Sequence, residues 1–460
     1  MRAHSPGDPE PDDSRGVFVT YPEAIAYLYG LQRFGVKLGL ESIARLLQAV
    51  GDPHRRFPSI LIGGTNGKGS TAAFLASILQ AAGYRIGLYT SPHLLDFTER
   101  IRVDGQGISS IEVARLTDEV RSIVATLFPL PSPPDPTPRT SSHPTFFEVT
   151  TALAFLHFAR PKVDFAVIEV GLGGRFDATN ILDPEVAVIT NIALEHQEYL
   201  GRTLGAIAAE KAGIVRKGSH VVTAADSPEA LAVIAGACRA QGATLLDLRA
   251  ACDWQISRSD LSEQRFILAQ AGEPTGEFTI RLLGRHQVTN AATAIAAARL
   301  LRARGAHIPE GSIREGLRLT RWPGRLQLFP GHPLVILDAA HNPAGAKALR
   351  DFLEEQQFAG RLILVFGVLK DKDWIAMLQE LGPLARRVIL TRPESDRAAD
   401  PRGLVEAERF CAKLEILEDV PEAITLARAV AEPQDVIVVT GSLFIISAAL
   451  RTLGGQQGVT

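Results

Sequence analysis

One segment of the sequence combines the residue types that bind a phosphate group. From Ile60 to Thr71 the chain reads ILIGGTNGKGST, an apolar run followed by glycines around a single lysine. A tight glycine turn before a helix points backbone N–H groups at an anion, and Lys68 adds a positive charge. The strict pattern GxxxxGK[ST] is absent, because Gly69 separates Lys68 from Ser70 and Ile62 occupies the first glycine position. We therefore expect a variant phosphate loop, formed by Gly64, Thr65, Asn66, Gly67, Lys68, Gly69, Ser70 and Thr71.

Two further residues stand where a site could use their charge. Glu169 closes a largely apolar segment, so a strand there would place the carboxylate at the carboxyl edge of a sheet, where doubly wound folds bind ligands. A solvated strand end is the alternative. Lys211 shares one helix face with Leu204, Ile207 and Ile214. Burial on that stripe would lower the lysine pKa and leave a neutral amine, whereas a side chain extending to solvent is the other interpretation.

The elements that must position these groups alternate in type. Short β-branched runs, glycine turns and helix-length segments follow one another, which predicts parallel sheets with crossover helices. The strands expected in the first part of the chain are 59–63, 86–89, 164–170, 186–190 and 220–223, with a helix over 70–82. We predict an α/β protein in which a phosphate-loop-type, mostly parallel sheet domain precedes a smaller Rossmann-like α/β domain.

The positions where this alternation of strands and helices is interrupted predict the domain organisation. Residues 1–16 are polar and Pro-rich and predict a disordered tail, and residues 129–144 read as a Pro-rich insertion. After two helices the strand pattern restarts, so a central domain over 17–320 and a C-terminal domain over 321–460 are expected. The strands expected in the second are 334–337, 362–366, 388–391, 414–417 and 436–440.

Composition excludes several classes of function. The 460 residues carry 48 Lys and Arg against 51 Asp and Glu, a net charge of −3, so no strong field attracts nucleic acid or an anionic membrane. Three scattered cysteines form neither a disulfide framework nor a metal motif, and they are expected to be buried thiols. Neither a targeting signal nor an apolar window of about 18 residues is evident. We expect a cytoplasmic, monomeric protein without nucleic-acid or membrane partners.

The glycine loop resembles that of the Mur ligase superfamily, specifically its folate branch. Many other segments resemble signatures of folylpolyglutamate synthase and dihydrofolate synthase. They are YTSPHL from Tyr89 with Phe97, Glu99 and Arg100, TFFE from Thr145, EVGLGGRFDATN from Glu169, EHQ from Glu195, AEKAG from Ala209, HQ from His286, WPGR from Trp322, DAAHNP from Asp338, KDKD from Lys370 and TGS from Thr440. So many matches in one order make the resemblance specific.

The resemblance implies an ATP-dependent acid–amino-acid ligase. In that family ATP phosphorylates a substrate carboxylate, and the amine of L-glutamate then attacks the acyl phosphate to give an amide, ADP and phosphate. The implied substrates are ATP, L-glutamate and a reduced folate, dihydropteroate or both. The implied cofactors are Mg²⁺, as two ions, and a monovalent cation.

The resemblance also assigns roles around the loop. Lys68, His196 and Lys211 would be catalytic, and Ser91, Glu169, His196 and Lys211 would hold metal. Lys211 stands fifteen residues after His196, where the family carries a lysine carbamate. The residues that match the family's other ATP contacts are Asn290, Arg325, Asp338 and His341. For Asn290, a helix N-cap is the alternative.

Three segments would hold the pterin-bearing substrate. They comprise Lys37, Leu38, Gly39 and Leu40, then Thr145, Phe146, Phe147 and Glu148, and finally Phe176, Asp177 and Ala178. Phe146 and Phe147 offer flat apolar surface for a pteridine. On a strand, adjacent residues point to opposite faces, so at most one of the two is expected to stack on substrate while the other joins the core. The TFFE and RFD segments resemble those that hold dihydropteroate in bifunctional enzymes, which favours a bifunctional protein.

Two residues depart from the family pattern, and two other functions are alternatives. Glu195 replaces the usual Asp before the metal histidine, which lengthens that side chain, and Ala339 replaces a usual Gly, which fits unless the backbone needs positive φ. The alternative enzyme is a peptidoglycan Mur ligase acting on a UDP-muramoyl substrate, although the TSPHL and WPGR segments argue against it. A nucleotide-dependent switch or binding module is the more distant alternative.

Overall fold

The computed structural model describes residues 19–35, 37, 39–129, 143–358 and 360–454. The predicted tail over 1–16 lies outside the described residues, as do Leu38 and all of the predicted insertion except 129, 143 and 144. Within the described ranges, no helix combines the length and apolar character that crossing a membrane requires. Cys238 and Cys252 are buried thiols as expected, whereas Cys411 is partly exposed.

An eight-stranded, mostly parallel sheet forms the centre of the first part of the chain. Its strands are β1 Ser59–Gly63, β2 Ile86–Tyr89, β3 Ile101–Val103, β4 Gln106–Gly107, β5 Phe165–Glu169, β6 Val186–Ile189, β7 His220–Thr223 and β8 Thr244–Asp247. Their spatial order is β4-β3-β2-β5-β1-β6-β7-β8, in which only the β2–β3 and β3–β4 pairs are antiparallel. The central strands are almost wholly buried, as the apolar runs predict for a parallel sheet covered on both faces.

Helices cover both faces of this sheet. In chain order they are α1 Tyr21–Gly30, α2 Glu41–Ala49, α3 Lys68–Ala81, α4 Ser110–Leu127, α5 Phe146–Ala159, α6 Gln197–Leu200, α7 Leu204–Lys211, α8 Pro228–Gln241, α9 Leu248–Ala251, α10 Arg285–Ala303 and α11 Glu310–Leu319. One core contains side chains of α1, α2, α4, α5, α7 and α8, and the other those of α3, α10 and α11. Gly316 lets α11 cross α3 closely, because a Cβ there would lie 2.4 Å from the Cα of Ile78.

A small antiparallel sheet follows, which the sequence patterns did not predict. It consists of β9 Cys252–Ser259, β10 Gln264–Gln270 and β11 Gly276–Ile280. The buried Arg299 of α10 fastens it to the helices, since its guanidinium lies 2.8 Å from Glu310 Oε1 and 3.8 Å from Glu273 Oε2. A buried charge of this kind is tolerated because protein carboxylates neutralise it.

A second, six-stranded sheet forms the remainder. Its strands are β12 Gln327–Phe329, β13 Leu334–Leu337, β14 Leu362–Phe366, β15 Ala385–Leu390, β16 Leu414–Ile416 and β17 Val436–Thr440, in the spatial order β12-β13-β17-β14-β15-β16. All pairs are parallel except β12–β13. The helices around it are α12 Pro343–Gln356, α13 Trp374–Leu381, α14 Val420–Val430 and α15 Leu443–Gly454. Short 3₁₀ helices lie at Leu31–Phe34, Pro53–Arg55, Phe97–Arg100, Ala178–Ile181, Ala212–Ile214, Gly382–Leu384 and Pro401–Phe410.

The predicted fold class is confirmed, but two local interpretations are wrong. Phe146 and Phe147 begin helix α5 and do not lie on a strand. Thr145 caps this helix, and Thr145 and Glu148 exchange the two hydrogen bonds of a capping box, which outweighs the strand preference of two phenylalanines. Asn290 is not an N-cap, because α10 already begins at Arg285. The predicted boundary at 320/321 stays a prediction, although the change of sheet falls between β11 and β12.

The first sheet brings the chemically interesting groups to one edge. The glycine loop follows β1, Ser91 follows β2, Glu169 ends β5, and Thr190 follows β6. Because β1, β2, β5 and β6 are parallel neighbours, these four ends meet at the same carboxyl edge.

Candidate active site between the two sheets

The glycine loop is held in shape by the chain that follows β6. Thr65 N donates to Asn191 O at 2.8 Å, and Asn66 N donates to Asn191 Oδ1 at 2.7 Å. Gly64 has a φ of 133°, and a Cβ there would lie 1.9 Å from Thr190 Oγ1. The loop is therefore pre-formed, with glycine required at that close approach.

Lys68 is the first residue of α3 and folds back over the loop. Its Nζ donates to Gly64 O at 3.1 Å and to Thr65 O at 2.9 Å. An ammonium group beside a helix N-terminus makes this loop electropositive, which suits an anion.

Glu169 is a buried carboxylate at the end of β5. Its Oε2 accepts a hydrogen bond from Ser91 N at 3.1 Å, and it forms no ion pair with the described residues. Burial raises the pKa of Glu169, against the lowering effect of Lys68 and of the Ser91 hydrogen bond. A buried carboxylate with a raised pKa and no ion pair is stabilised in its ionised form when a cation binds beside it.

Lys211 ends α7 with its amine inside the protein. Nζ donates to Gly64 O at 2.7 Å, and only 5% of the residue is exposed, so the side chain does not extend to solvent. Burial, and next the positive charge of Lys68, lowers the pKa of Lys211 to about 7. A substantial fraction of this lysine is therefore neutral near neutral pH.

His196 and Glu195 lie opposite the second sheet. Burial, and next the charge of Lys372, lowers the pKa of His196 to about 4, so its imidazole is neutral. Glu195 Oε1 lies 3.1 Å from His341 Nε2 and 3.2 Å from Lys372 Nζ. Burial alone would raise the pKa of Glu195, but the His341 hydrogen bond and the charges of Lys372 and Lys68 lower it. The longer carboxylate that departs from the family pattern thus links the two parts of the chain.

Residues after β11 approach the loop from the other side. Asn66 and Asn342 exchange side-chain hydrogen bonds of 3.2 and 2.9 Å. Asn290 packs on the loop so closely that a Cβ on Gly67 would lie 2.3 Å from its Oδ1. Asp338 is fixed by Leu326 N and Ala340 N at 2.9 and 3.0 Å.

A cavity of about 550 Å³, here called the loop cavity, lies between the two sheets. Most of the predicted ATP-binding and metal-binding residues line it: Thr65, Asn66, Gly67, Lys68, Gly69, Ser70, Ser91, Glu169, His196, Lys211, Asn290, Arg325, Asp338 and His341. Gly64 and Thr71 do not line it, because Thr71 is fully buried within α3 and Gly64 packs on Thr190. Ala339 is not among the described residues with positive φ, so alanine fits where the family usually has glycine.

A second cavity of about 720 Å³, here called the phenylalanine cavity, opens beside α5. The predicted pterin-binding residues that line it are Lys37, Gly39, Thr145, Phe146, Phe147, Glu148, Phe176, Asp177 and Ala178. Leu40 does not line it and packs against the core instead. Sequence reasoning missed Tyr199 and Arg100, which also line it. Arg100 stands in a quoted motif, whereas no sequence signal marked Tyr199.

The two phenylalanines differ in their surroundings even on a helix. Phe146 stacks on Tyr29 with 5.6 Å between the ring centroids. Phe147 lies against Tyr89 and against the backbone at Gly171, where a Cβ would be 2.5 Å from its ring. The carboxylates of Glu148 and Asp177 form hydrogen bonds within their own segments. Glu148 completes the capping box of α5, and Asp177 accepts hydrogen bonds from Leu172 N and Thr179 N.

The two cavities share part of their wall. Ser91, Pro92 and residues 171–173 line both, directly beside Glu169. A ligand in the phenylalanine cavity can therefore present a group to a ligand in the loop cavity. Among the described residues no cluster of three His, Cys, Asp or Glu side chains could hold a metal ion, and the predicted metal set contains only two such residues.

Two family models match the chain. The Mur ligase middle domain matches residues 62–298, and the Mur ligase glutamate ligase domain matches residues 324–443. Together they span both sheets and the residues that line the loop cavity.

Named proteins are similar over nearly the whole chain. The dihydrofolate synthase/folylpolyglutamate synthase of Bacillus subtilis is 37% identical over 439 residues, which covers 95% of this chain and 100% of that protein. The solved structure of E. coli FolC in complex with DHPP and ADP has a TM-score of 0.82 at 32% identity, covering 94% of this chain and 98% of that one. A bifunctional folylpolyglutamate synthase/dihydrofolate synthase with Mn, AMPPNP and L-glutamate bound has a TM-score of 0.79 at 33% identity, with the same coverage.

Proposed function

The chain belongs to the folylpolyglutamate and dihydrofolate synthase family of Mur ligases, and on this premise we propose how its two cavities carry out the reaction. It is an ATP-dependent ligase that adds L-glutamate to the carboxylate of folates or dihydropteroate. The peptidoglycan ligase and the switch or binding module are not favoured, since the relatives are folate enzymes. We take the monomeric state and the cytoplasmic location as predictions.

The observation that carries the proposal is the shared wall of the two cavities. ATP in the loop cavity and a pterin-bearing substrate in the phenylalanine cavity would meet beside Ser91 and residues 171–173. There the substrate carboxylate attacks the γ-phosphorus, the bond to the bridging oxygen breaks, and ADP leaves. The amine of glutamate then attacks the acyl carbon, phosphate leaves and the amine gives up a proton. Positioning and charge compensation are what such a transfer needs from the protein.

For the phosphates, we assign the glycine loop and Lys68, which would exchange its loop carbonyls for phosphate oxygens. Asn290, Arg325, Asp338 and His341 line the same cavity from the other side, and we assign them to the rest of the nucleotide. The network of Glu195, His341 and Lys372 supports this, because it holds the second sheet against the loop cavity.

The chain also offers donors that suit a divalent cation, as expected from the relative that binds Mn with an ATP analogue. Ser91, Glu169, His196 and Lys211 would hold it. The set fits because Glu169 is a buried carboxylate without an ion pair among the described residues and His196 is neutral. A bound divalent ion supplies positive charge to the ATP phosphates. That the ion is Mg²⁺, that there are two, and that a monovalent cation takes part are predictions.

Lys211 would join this set as a carbamate. The lone pair of its neutral amine attacks the carbon of CO₂, an N–C bond forms, and a proton passes to solvent. The product is a carbamate anion where the neutral amine stood, and its oxygens can bind a cation. The buried amine and its lowered pKa support the assignment.

Lys211→Ala is expected to lower the rate of glutamate addition by at least about 100-fold, because a buried electrostatic group facing the transferred phosphate is lost. Formate or acetate should restore part of the rate, since either can occupy the space of the carbamate. The measurement is ADP release under saturating substrates, with and without the added carboxylate. Lys217→Ala, at an exposed lysine nearby, is the control and should behave as the wild type. Full activity of Lys211→Ala without any added carboxylate would contradict the role.

The pterin-bearing substrate is assigned to the phenylalanine cavity, with Phe146 and the partly exposed Phe176 as its aromatic surfaces. Dihydropteroate presents its carboxylate close to the pterin, whereas a folate presents it one glutamate further out. We propose that this chain accepts both.

The test is a pair of incubations with ATP, magnesium and L-glutamate, one with dihydropteroate and the other with a reduced folate. In each incubation the mass of the acceptor is expected to increase by one glutamate residue, with one ADP formed per addition. Omission of L-glutamate is the control. Addition to the folate alone would refute bifunctionality, and addition to neither would refute the proposed function.

A further inference from the structure

Asn342 joins the second sheet to the glycine loop of the first. It directly precedes α12, and only 3% of the residue is exposed. Its Nδ2 donates to Asn66 Oδ1 at 2.9 Å, and Asn66 Nδ2 donates back to Asn342 Oδ1 at 3.2 Å. This amide pair connects two residues that stand 276 positions apart in the chain. Asn342 does not line the loop cavity, and the reaction as derived above gives it no role.

The orientation of the Asn342 amide is fixed by its own helix. Its Oδ1 accepts a hydrogen bond from Gly345 N at 2.8 Å, so Asn342 is the N-cap of α12. Because that backbone N–H must face an oxygen, the Nδ2 end is left to donate to Asn66 Oδ1. Pro343 follows at the first helical position, where its restricted φ suits the start of a helix. The second sheet thus presents a rigid amide to the loop.

Asn66 is held from two sides. Asn66 N donates to Asn191 Oδ1 and Asn66 O accepts from Thr190 Oγ1, both at 2.7 Å, so the chain after β6 fixes its backbone. The described hydrogen bonds of its side chain are those with Asn342, which belongs to the other part of the chain. The conformation of the loop therefore depends on both parts.

The position of Asn66 matters for phosphate binding because it lies directly before the start of α3. Gly67 is the N-cap of that helix and has no side-chain oxygen for the N–H groups of the first turn, which leaves these groups to an anion. A displacement of Asn66 moves Gly67 and Lys68 with it. A misplacement of about 1 Å in such a group can lower a rate about 100-fold.

We infer that Asn342 is a positioning residue for the binding of ATP phosphates, because its amide pair with Asn66 completes the conformation of the loop. The inference rests on the proposed function and adds to it a residue that acts through another. The loop then binds phosphates tightly only while the pair is formed. By thermodynamic reciprocity, phosphates in the loop strengthen the contact between the two parts of the chain.

The test compares AMPPNP with adenosine, which keeps the base and the ribose but lacks the phosphates. Affinities are measured by calorimetry with magnesium and without the other substrates, so the readout does not depend on turnover. Asn342→Ser retains an N-cap for α12, but its side chain is too short to reach Asn66. This variant should bind AMPPNP about 10-fold more weakly than the wild type, as expected for two lost hydrogen bonds, and adenosine equally well.

A double-mutant cycle tests whether the two residues act as one pair. Asn66→Ala should also weaken AMPPNP binding by about 10-fold or more. The double variant should bind AMPPNP no more weakly than Asn66→Ala alone, because the pair is already broken.

Asp419→Ala is the matched control. It removes the N-cap of α14, another helix of the second sheet, where the Asp419 carboxylate accepts from Glu422 N at 2.8 Å. It should bind AMPPNP and adenosine as the wild type does, although it loses a cap.

Three results would overturn the inference. Wild-type affinity of Asn342→Ser for AMPPNP, or additive losses in the double variant, would show that the pair does not position the loop. Equal weakening of AMPPNP and adenosine would show that Asn342 only supports the second sheet. If the wild type binds AMPPNP no more tightly than adenosine, the assignment of the phosphates to the loop is wrong as well, which separates the two failures.

Discussion

Lys68→Ala is expected to abolish ATP-dependent glutamate addition, with a loss of about 10³-fold or more in rate. The ammonium is the charge at the start of α3 that would face the phosphates, and such groups act where negative charge moves during the transfer. The structural cost is limited. The described contacts of the Lys68 ammonium are hydrogen bonds to two loop carbonyls, about 1.5 to 3 kcal/mol each for a charged donor, but its positive charge also repels Lys211 and the N-terminus of α3, so its removal offsets part of that loss.

The variant therefore separates function from folding. ADP release and nucleotide affinity should both fall, whereas the melting temperature and the binding of dihydropteroate in the phenylalanine cavity should stay close to wild type. Lys413→Ala, at an exposed lysine directly before β16, is the control and should retain activity. A Lys68→Ala protein that turns over at the wild-type rate would show that the loop does not bind the phosphates as assigned.

Glu169→Ala is the second change with a very large expected effect on activity. It removes a carboxylate that would hold the divalent cation, and the loss should again be about 10³-fold, with raised magnesium or manganese giving at most partial recovery. The sign of the stability effect is the opposite of what a lost hydrogen bond would suggest. Burial raises the pKa of this carboxyl, so ionised Glu169 destabilises the cation-free protein and its removal relieves that cost.

The melting temperature of the cation-free Glu169→Ala protein should accordingly equal or exceed that of the wild type. Added magnesium should stabilise the wild type and not the variant, because an ion that binds only the folded state shifts the unfolding equilibrium. Glu198→Ala, at an exposed glutamate of α6, should respond to magnesium as the wild type does. Full activity of Glu169→Ala at ordinary magnesium would remove Glu169 from the site.

Local patterns were enough for much of the fold. The glycine loop, the strand from 59 to 63 and the carboxylate at residue 169 were placed correctly, because an apolar run followed by glycine or an acidic residue marks a strand end without further information. The strand prediction for Phe146 and Phe147 was wrong although the correcting signal was present. Thr145 and Glu148 have the spacing of a capping box, and a helix cap outweighs the preference of two side chains.

The amino-acid sequence by itself therefore determined which residue types stand at strand ends and in the loop, because these features follow from short-range preferences. Only the tertiary structure decided which of them meet. Glu195 contacts His341 and Lys372 across about 150 residues or more, and Asn66 contacts Asn342. The physical reason is that burial and charge pairing depend on groups far apart in sequence. A residue's neighbours along the chain do not show whether its charge is neutralised in the folded protein. A buried charge that no protein group neutralises indicates a side chain that binds a charged ligand.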